Sequence, residues 1–261
     1  VGLNQENKKT LLFNTGEKMF RTSNPAMKEE IFQNISATAT DKMTVRGTVN
    51  KTAILLLILI ISASWTWDIY SYGGRTGSLI LFGALGGFAV AMVTIFKREY
   101  SPITAPIYAI LEGLVLGGVS GLLNKAYPGI VFSAVGLTFG TLGCLLIVYR
   151  AGIIQPTENF KLGVISATGG IALYYLLSII LGFFGIAVPL IHSNSMWGIA
   201  FSVFVVIIAA LNLVLDFDLI ETGARAGAPK YMEWYGAFGL MVTLVWLYLE
   251  ILRLLAKMQR R

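Results

Sequence analysis

The chain has 261 residues, 56% of them hydrophobic and only 13% charged, with a mean hydropathy of +0.72. A soluble protein carries about 25% charged residues, so this composition excludes a soluble domain and requires an integral membrane protein. The net charge of +6 then belongs to loops that face lipid headgroups, not to a nucleic-acid surface.

Residues 1–51 are polar and of mixed charge, and read as an N-terminal tail. Within it Asn24-Pro25 is a start signal for a short amphipathic helix around Met27–Ile35. The first apolar run begins near Thr52, too late for an ordinary cleavable leader, so it is expected to stay as an anchor. Seven apolar runs follow, near 52–67, 77–96, 103–123, 129–149, 163–191, 197–215 and 235–256. A helix needs about 20 residues to cross the hydrocarbon core. The fold class is therefore an all-α integral membrane bundle of seven transmembrane helices over 52–257, with a short basic tail at 258–261. The fifth run is longer than a crossing needs, and Gly182, Gly185 and Pro189 are expected to kink it or end it early. Small residues at Gly83/Gly87, Gly113/Gly117 and Gly136/Gly140 predict close helix packing. Trp65, Trp67, Tyr70 and Tyr72 form an aromatic belt at the end of the first run.

Lysine and arginine crowd the tail and the second, fourth and sixth loops, at Lys97, Arg98, Arg150, Lys161, Arg225 and Lys230. The odd loops hold only Arg75 and Lys125. The bias places the N-terminus in the cytoplasm. Seven crossings would put the C-terminus outside, against the cluster Arg253, Lys257, Arg260 and Arg261. The seventh run is either forced across by its neighbours or re-entrant, and both readings stay open here.

Chemistry has few carriers. Cys144 and His192 are the only residues of their kinds, so neither an internal disulfide nor a zinc cluster can form, and a histidine-based triad is not expected. Cys144 reads as a small packing residue. No nucleophile constellation, phosphate loop or metalloprotease motif is present, and no enzymatic activity is expected. The informative groups are ionisable residues inside apolar runs. Glu112 lies near the middle of the third run, where a charge costs at least ~3 kcal/mol. It is either a cation ligand or protonation switch, or an acid that pins two helices. Tyr108 and Ser120 share its face. Asn212 and Asp216, four residues apart, stack on one face of the sixth helix. Asp218 lies about 200° around from Asp216, with Glu221 beside it, so Asp216 is expected to face inward. In the seventh run Gly236, Gly239, Thr243 and Glu250 form one stripe. Arg253, three residues after Glu250, is placed to neutralise it. Thr243 bonds either its own backbone or an ion. Arg98 can pair with Asp216 or simply anchor the membrane boundary. Hard oxygen donors suit calcium, and Glu112 with Asp216 would make a weak, transient site. No other cofactor is expected.

Three stretches together resemble a known family. They are Met43–Lys51 (MTVRGTVNK); Ser101-Pro102 with Ala105-Pro106, Glu112-Gly113-Leu114 and Leu116-Gly117; and Asp216–Glu221 (DFDLIE) followed by Leu247–Leu255 (LYLEILRLL). This pattern is similar to the Bax inhibitor / YccA-like membrane proteins, and nearest to the bacterial branch with a long polar N-terminal tail. The resemblance implies a bundle whose last helix is central, and a pH-sensitive calcium leak. It implies two acids, on the sixth and seventh helices, that share a proton, and a basic latch near the second helix. Asp216 matches the first acid. Arg98 matches the latch, with Asp218 at the same membrane face. The second acid's place falls to Thr243 in one alignment and to Glu250 in another, and Glu112 is a candidate substitute. The family also includes a bacterial modulator of a membrane-anchored ATP-dependent protease. That gives the alternative expectation of a non-transporting regulator that binds such a protease through its tail. The partners expected are thus the lipid bilayer and a membrane-bound protease, in a bacterial plasma membrane, with no nucleic acid.

Overall fold

Hydropathy sets the helices, and caps set their ends. The computed structural model describes residues 42–154, 156–185 and 195–259. The expected Met27–Ile35 helix, Pro189 and His192 lie outside them. Among the described residues the helices are α1 (Val45–Ser71), α2 (Gly77–Phe96), α3 (Ser101–Ala126), α4 (Ile130–Arg150), α5 (Glu158–Phe183), α6 (Met196–Arg225) and α7 (Met232–Gln259). A one-turn 3-10 helix, Arg98–Tyr100, leads into α3. All seven α-helices are long and apolar enough to cross a membrane.

α1 begins at Val45, seven residues before the apolar run. The Thr44 hydroxyl accepts the Gly47 N–H at 2.9 Å, which satisfies a donor that the helix start leaves open. The polar residues up to Lys51 therefore belong to the first turns of α1 and not to the tail. α5 stops at Phe183, and Gly185 beyond it takes φ +75°, a left-handed conformation that glycine adopts without strain. The early end expected at these glycines is thus observed.

α7 is the central helix. In its most apolar window 61% of residues are buried, against 11% in α5. Its Tyr235, Phe238, Met241, Leu247 and Leu252 pack with Leu55 of α1, Ile130 of α4 and Leu213 of α6. It runs unbroken to Gln259, and Lys257 near its end is buried against the start of α6. The Lys257 ammonium donates to the Gly198 carbonyl at 3.0 Å and to the Ser202 hydroxyl at 2.9 Å. The seventh run is therefore one continuous helix of 28 residues and not a re-entrant turn, long and apolar enough to cross a membrane. Below, the near face carries residues 42–44 and the α6–α7 junction, and the far face carries the end of α7.

Two of the three glycine spacings are close interfaces. A Cβ on Gly83 would sit 2.6 Å from the Leu111 carbonyl, one on Gly113 would sit 2.6 Å from the Leu59 carbonyl, and one on Gly117 would strike the Ala63 backbone. α1 and α2 thus pack backbone-close on α3. Gly136 and Gly140 of α4 have nothing within 4 Å, which corrects the expectation for that pair. α4 buries the opposite side, at Ala134 and Thr138. Cys144 is exposed on the same helix and is not a packing residue. The aromatic belt stands at the far end of α1, with Tyr70 packed on Gly121 and Trp65 and Tyr72 exposed.

Candidate functional site: buried polar groups along the central helix

The near end of α7 is fastened by a carboxylate. Glu233, in its first turn, is 0% exposed. It accepts from the Thr44 N–H and the Thr44 hydroxyl, each at 2.9 Å, from Lys230 at 3.3 Å, and from the Lys51 ammonium. Gly47 has no side chain because a Cβ there would meet this carboxylate. The Met43 N–H adds a bond of 2.6 Å to the Ala228 carbonyl. Charge-assisted bonds of this kind are roughly twice as strong as neutral ones. They clasp the strap ahead of α1 to the start of α7. Beside the clasp the Arg98 guanidinium lies over the Tyr235 ring at 5.9 Å, and the Ser101 hydroxyl donates to the Tyr231 carbonyl at 3.0 Å. Burial, then the nearby Glu99 charge, pushes the Tyr231 phenol up against the opposing pull of Arg98. It stays a neutral hydroxyl.

The interior polar groups come from α6, α7 and α3. Asp216 is 1% exposed, and Asn212 one turn before it is also buried. The Asn212 amide donates to the Thr168 hydroxyl of α5 and to the Ile208 carbonyl, each at 2.8 Å. Thr243 is buried, and its hydroxyl donates to its own helix at the Gly239 carbonyl, 3.3 Å away. Glu112 is half-buried, and its carboxylate lies 3.6 Å from where a Cβ of Gly87 would stand. It therefore faces α2, with the Tyr108 hydroxyl as its near polar neighbour. Tyr108 in turn sets its ring against Phe238 of α7, 5.0 Å between centroids. The Ser120 hydroxyl bonds the Tyr248 hydroxyl at 2.6 Å.

Further toward the far face, Glu250 is 2% exposed. Arg253 donates to both of its oxygens, at 2.9 and 3.0 Å. Tyr175 of α5 closes the triangle: its hydroxyl donates to Glu250 at 3.0 Å and accepts from Arg253 at 2.7 Å. On the near side Asp218 pairs with Lys161 of α5 at 2.8 Å, and Glu221 accepts from the Tyr149 hydroxyl at 2.7 Å.

This geometry stands beside one decisive comparison. The family model described as Bax inhibitor 1 like matches residues 24–260. The chain belongs to the Bax inhibitor 1-like family. The comparison with curated proteins returned no match, and neither did that with solved structures.

Within this Bax inhibitor 1-like bundle the residues singled out in the sequence separate into distinct groups. Asn212 and Asp216 share the buried face of α6, as their spacing predicts, and Glu250 is neutralised by Arg253. Glu112 lies at a different interface from Asp216, between α2 and α3, so the two candidate calcium carboxylates are not neighbours on one wall. Among the described residues no three Asp, Glu, His or Cys side chains converge on one point. The acid of the near-face pair is Asp218, and its cation is Lys161; Arg98 stacks on Tyr235. The sequence reading missed Glu233 and Tyr175, and used Lys51, Lys161 and Lys257 only as markers of orientation. One local signal was available for Glu233, the i,i+3 spacing from Lys230 at a helix start.

Proposed function

We propose that this Bax inhibitor 1-like chain is a pH-sensitive cation leak, best suited to calcium, in a bacterial plasma membrane with its N-terminus in the cytoplasm. The observation that carries this reading is Asp216, a carboxylate 1% exposed on the inner face of α6 with the Asn212 amide one turn away. Withdrawing a carboxylate from water costs several kcal/mol, and acids inside membrane bundles mark ion and proton pathways. One or two oxygen donors bind calcium weakly, and weak binding is what passage needs. Protonation removes the charge that attracts the cation, which makes the pathway sensitive to pH. Near-face Lys42, Arg46, Lys51, Lys97, Arg98, Arg150, Lys161, Arg225 and Lys230 support the cytoplasmic placement of the N-terminus.

The test is calcium entry into liposomes that hold the purified chain, from mildly acidic to mildly alkaline pH. Wild type is expected to leak in a pH-dependent way, and Asp216→Asn to flatten that dependence. Glu112→Gln reports whether the α2–α3 interface contributes. Folded protein with no entry above empty liposomes at any pH would overturn the leak. A second reading, a non-transporting modulator of a membrane-anchored protease, is favoured by the clasp that ties the N-terminal strap to α7 through Glu233. Deleting residues 1–40 is expected to abolish capture of the protease under that reading and to leave calcium entry intact under the first.

A further inference from the structure

The far half of the bundle contains a cavity of about 460 Å³, and none of the carboxylates described above lines it. One wall is α1 from Leu56 to Asp68, and the opposite wall is α4 around Phe132 and Val135. α3 and α7 close the back, where Ser120 meets Tyr248. At the rim Ile60 is 47% and Phe132 78% exposed. The cavity is therefore a cleft that opens sideways between α1 and α4, toward the place of lipid tails.

Its chemistry decides what fits. A buried water needs two to four polar partners. The inner hydroxyls of the wall are already engaged, Ser120 and Tyr248 with each other and Thr138 with the Ala134 carbonyl at 2.8 Å, and the remaining one, Ser64, is an exposed residue. The interior thus offers apolar surface and little else. At roughly 30 Å³ per water-sized group, it has room for about fifteen methylene-sized units. The α1 wall runs from Leu56 to Asp68, thirteen residues, or about 18 Å end to end at ~1.5 Å per step. That is close to one leaflet of a hydrocarbon core ~30 Å thick. The cleft ends at Asp68, which is exposed beside Trp67 in the aromatic belt, at headgroup level. None of the ion pairs among the described residues uses Asp68.

We propose that this cleft holds one acyl chain of a phospholipid whose headgroup bears a primary ammonium, phosphatidylethanolamine, with the tail between α1 and α4 and the ammonium on the Asp68 carboxylate. The lipid comes from the leaflet opposite the N-terminal strap. A primary ammonium can donate charge-assisted hydrogen bonds to a carboxylate; a quaternary one cannot, and an anionic headgroup is repelled.

The experiment uses the full chain in nanodiscs that contain phosphatidylethanolamine, phosphatidylcholine or phosphatidylglycerol, each with a photoreactive group on its acyl chain. Adducts are mapped by mass spectrometry. They are expected to concentrate in residues 56–68 and 131–139, with a severalfold higher yield for phosphatidylethanolamine. Val135→Trp, which fills the cleft, is expected to cut these adducts severalfold. Leu177→Trp on the exposed side of α5 is expected to leave them unchanged. Asp68→Asn should keep the tail adducts and lose the headgroup preference. Should Val135→Trp fail to fold, Phe139→Trp obstructs the same cleft with the same readout. Adducts spread equally over α5, or unchanged by the filled cleft, would overturn the site. Equal yields from all three headgroups in wild type would overturn the role of Asp68.

Discussion

Glu233 offers a measurable test of how the strap is held. Glu233→Ala removes the acceptor for two Thr44 donors and two ammonium groups. Breaking a buried ion pair by deleting one partner costs about 3–5 kcal/mol. The Lys51 side chain is 17% exposed, so it recovers some hydration, and the expected loss is near the lower end, about 3 kcal/mol. Lys230 is about half exposed and its pair contributes only ~0–1 kcal/mol. Lys230→Ala should therefore be nearly silent, whereas Lys51→Met should reproduce much of the loss. A double-mutant cycle between Lys51 and Glu233 should return a coupling of about 1–3 kcal/mol. Chemical unfolding of the full chain in detergent gives these energies. Hydrogen exchange at the Met43 and Thr44 amides supplies an independent local readout, and protection there should fall in Glu233→Ala. A loss below about 0.5 kcal/mol, or equal costs for Lys230→Ala and Lys51→Met, would refute the clasp as an energetic unit.

Two further outcomes follow from packing. Gly113→Ala puts a methyl group 2.6 Å from the Leu59 carbonyl and should cost about 1–3 kcal/mol by overpacking, while Gly140→Ala meets open space and should be neutral or gain up to about 1 kcal/mol from helix propensity; unfolding midpoints of the two variants decide the contrast. Ser202→Val takes an acceptor from the buried Lys257 ammonium and should cost about 1.5–3 kcal/mol, more than Lys257→Met, which removes the charge along with its need for acceptors.

How much of this was legible in the sequence depends on how far apart the partners lie. The seven apolar runs, the stop at Gly182–Gly185 and the Glu250–Arg253 pair are local signals, and seven helices, the end of α5 and that ion pair are found where they point. The inward placement of Asp216 followed from one helical turn to Asn212. Glu233 did not follow, because its partners Thr44 and Lys51 lie 189 and 182 positions away. The start of α1 was hidden because Val45–Lys51 is polar, and hydropathy reports where lipid begins, not where hydrogen-bonded turns begin. Gly113/Gly117 and Gly136/Gly140 have the same spacing and opposite outcomes. Spacing gives a helix the capacity for close approach, and only the fold supplies a second helix to use it.

The basic end of α7 can now be understood without exempting it from the charge rule. Loop charge alone would hold Arg253 and Lys257 on the side of the N-terminus. Glu250 cancels Arg253 through two hydrogen bonds, and Lys257 gains two oxygen acceptors from the first turns of α6. A basic last turn and an acidic first turn also complement the dipole of α7 itself. Both ends of the central helix are thus fixed by charged contacts, and its middle is core. α5 is the opposite case. Its apolar attachment to α6 is a small cluster of Ile171, Val205 and Ile208. Polar contacts hold it at three heights: Lys161 to Asp218, Thr168 to Asn212, and Tyr175 to Glu250 and Arg253. Two of these three end on a carboxylate, and the third lies one turn from Asp216.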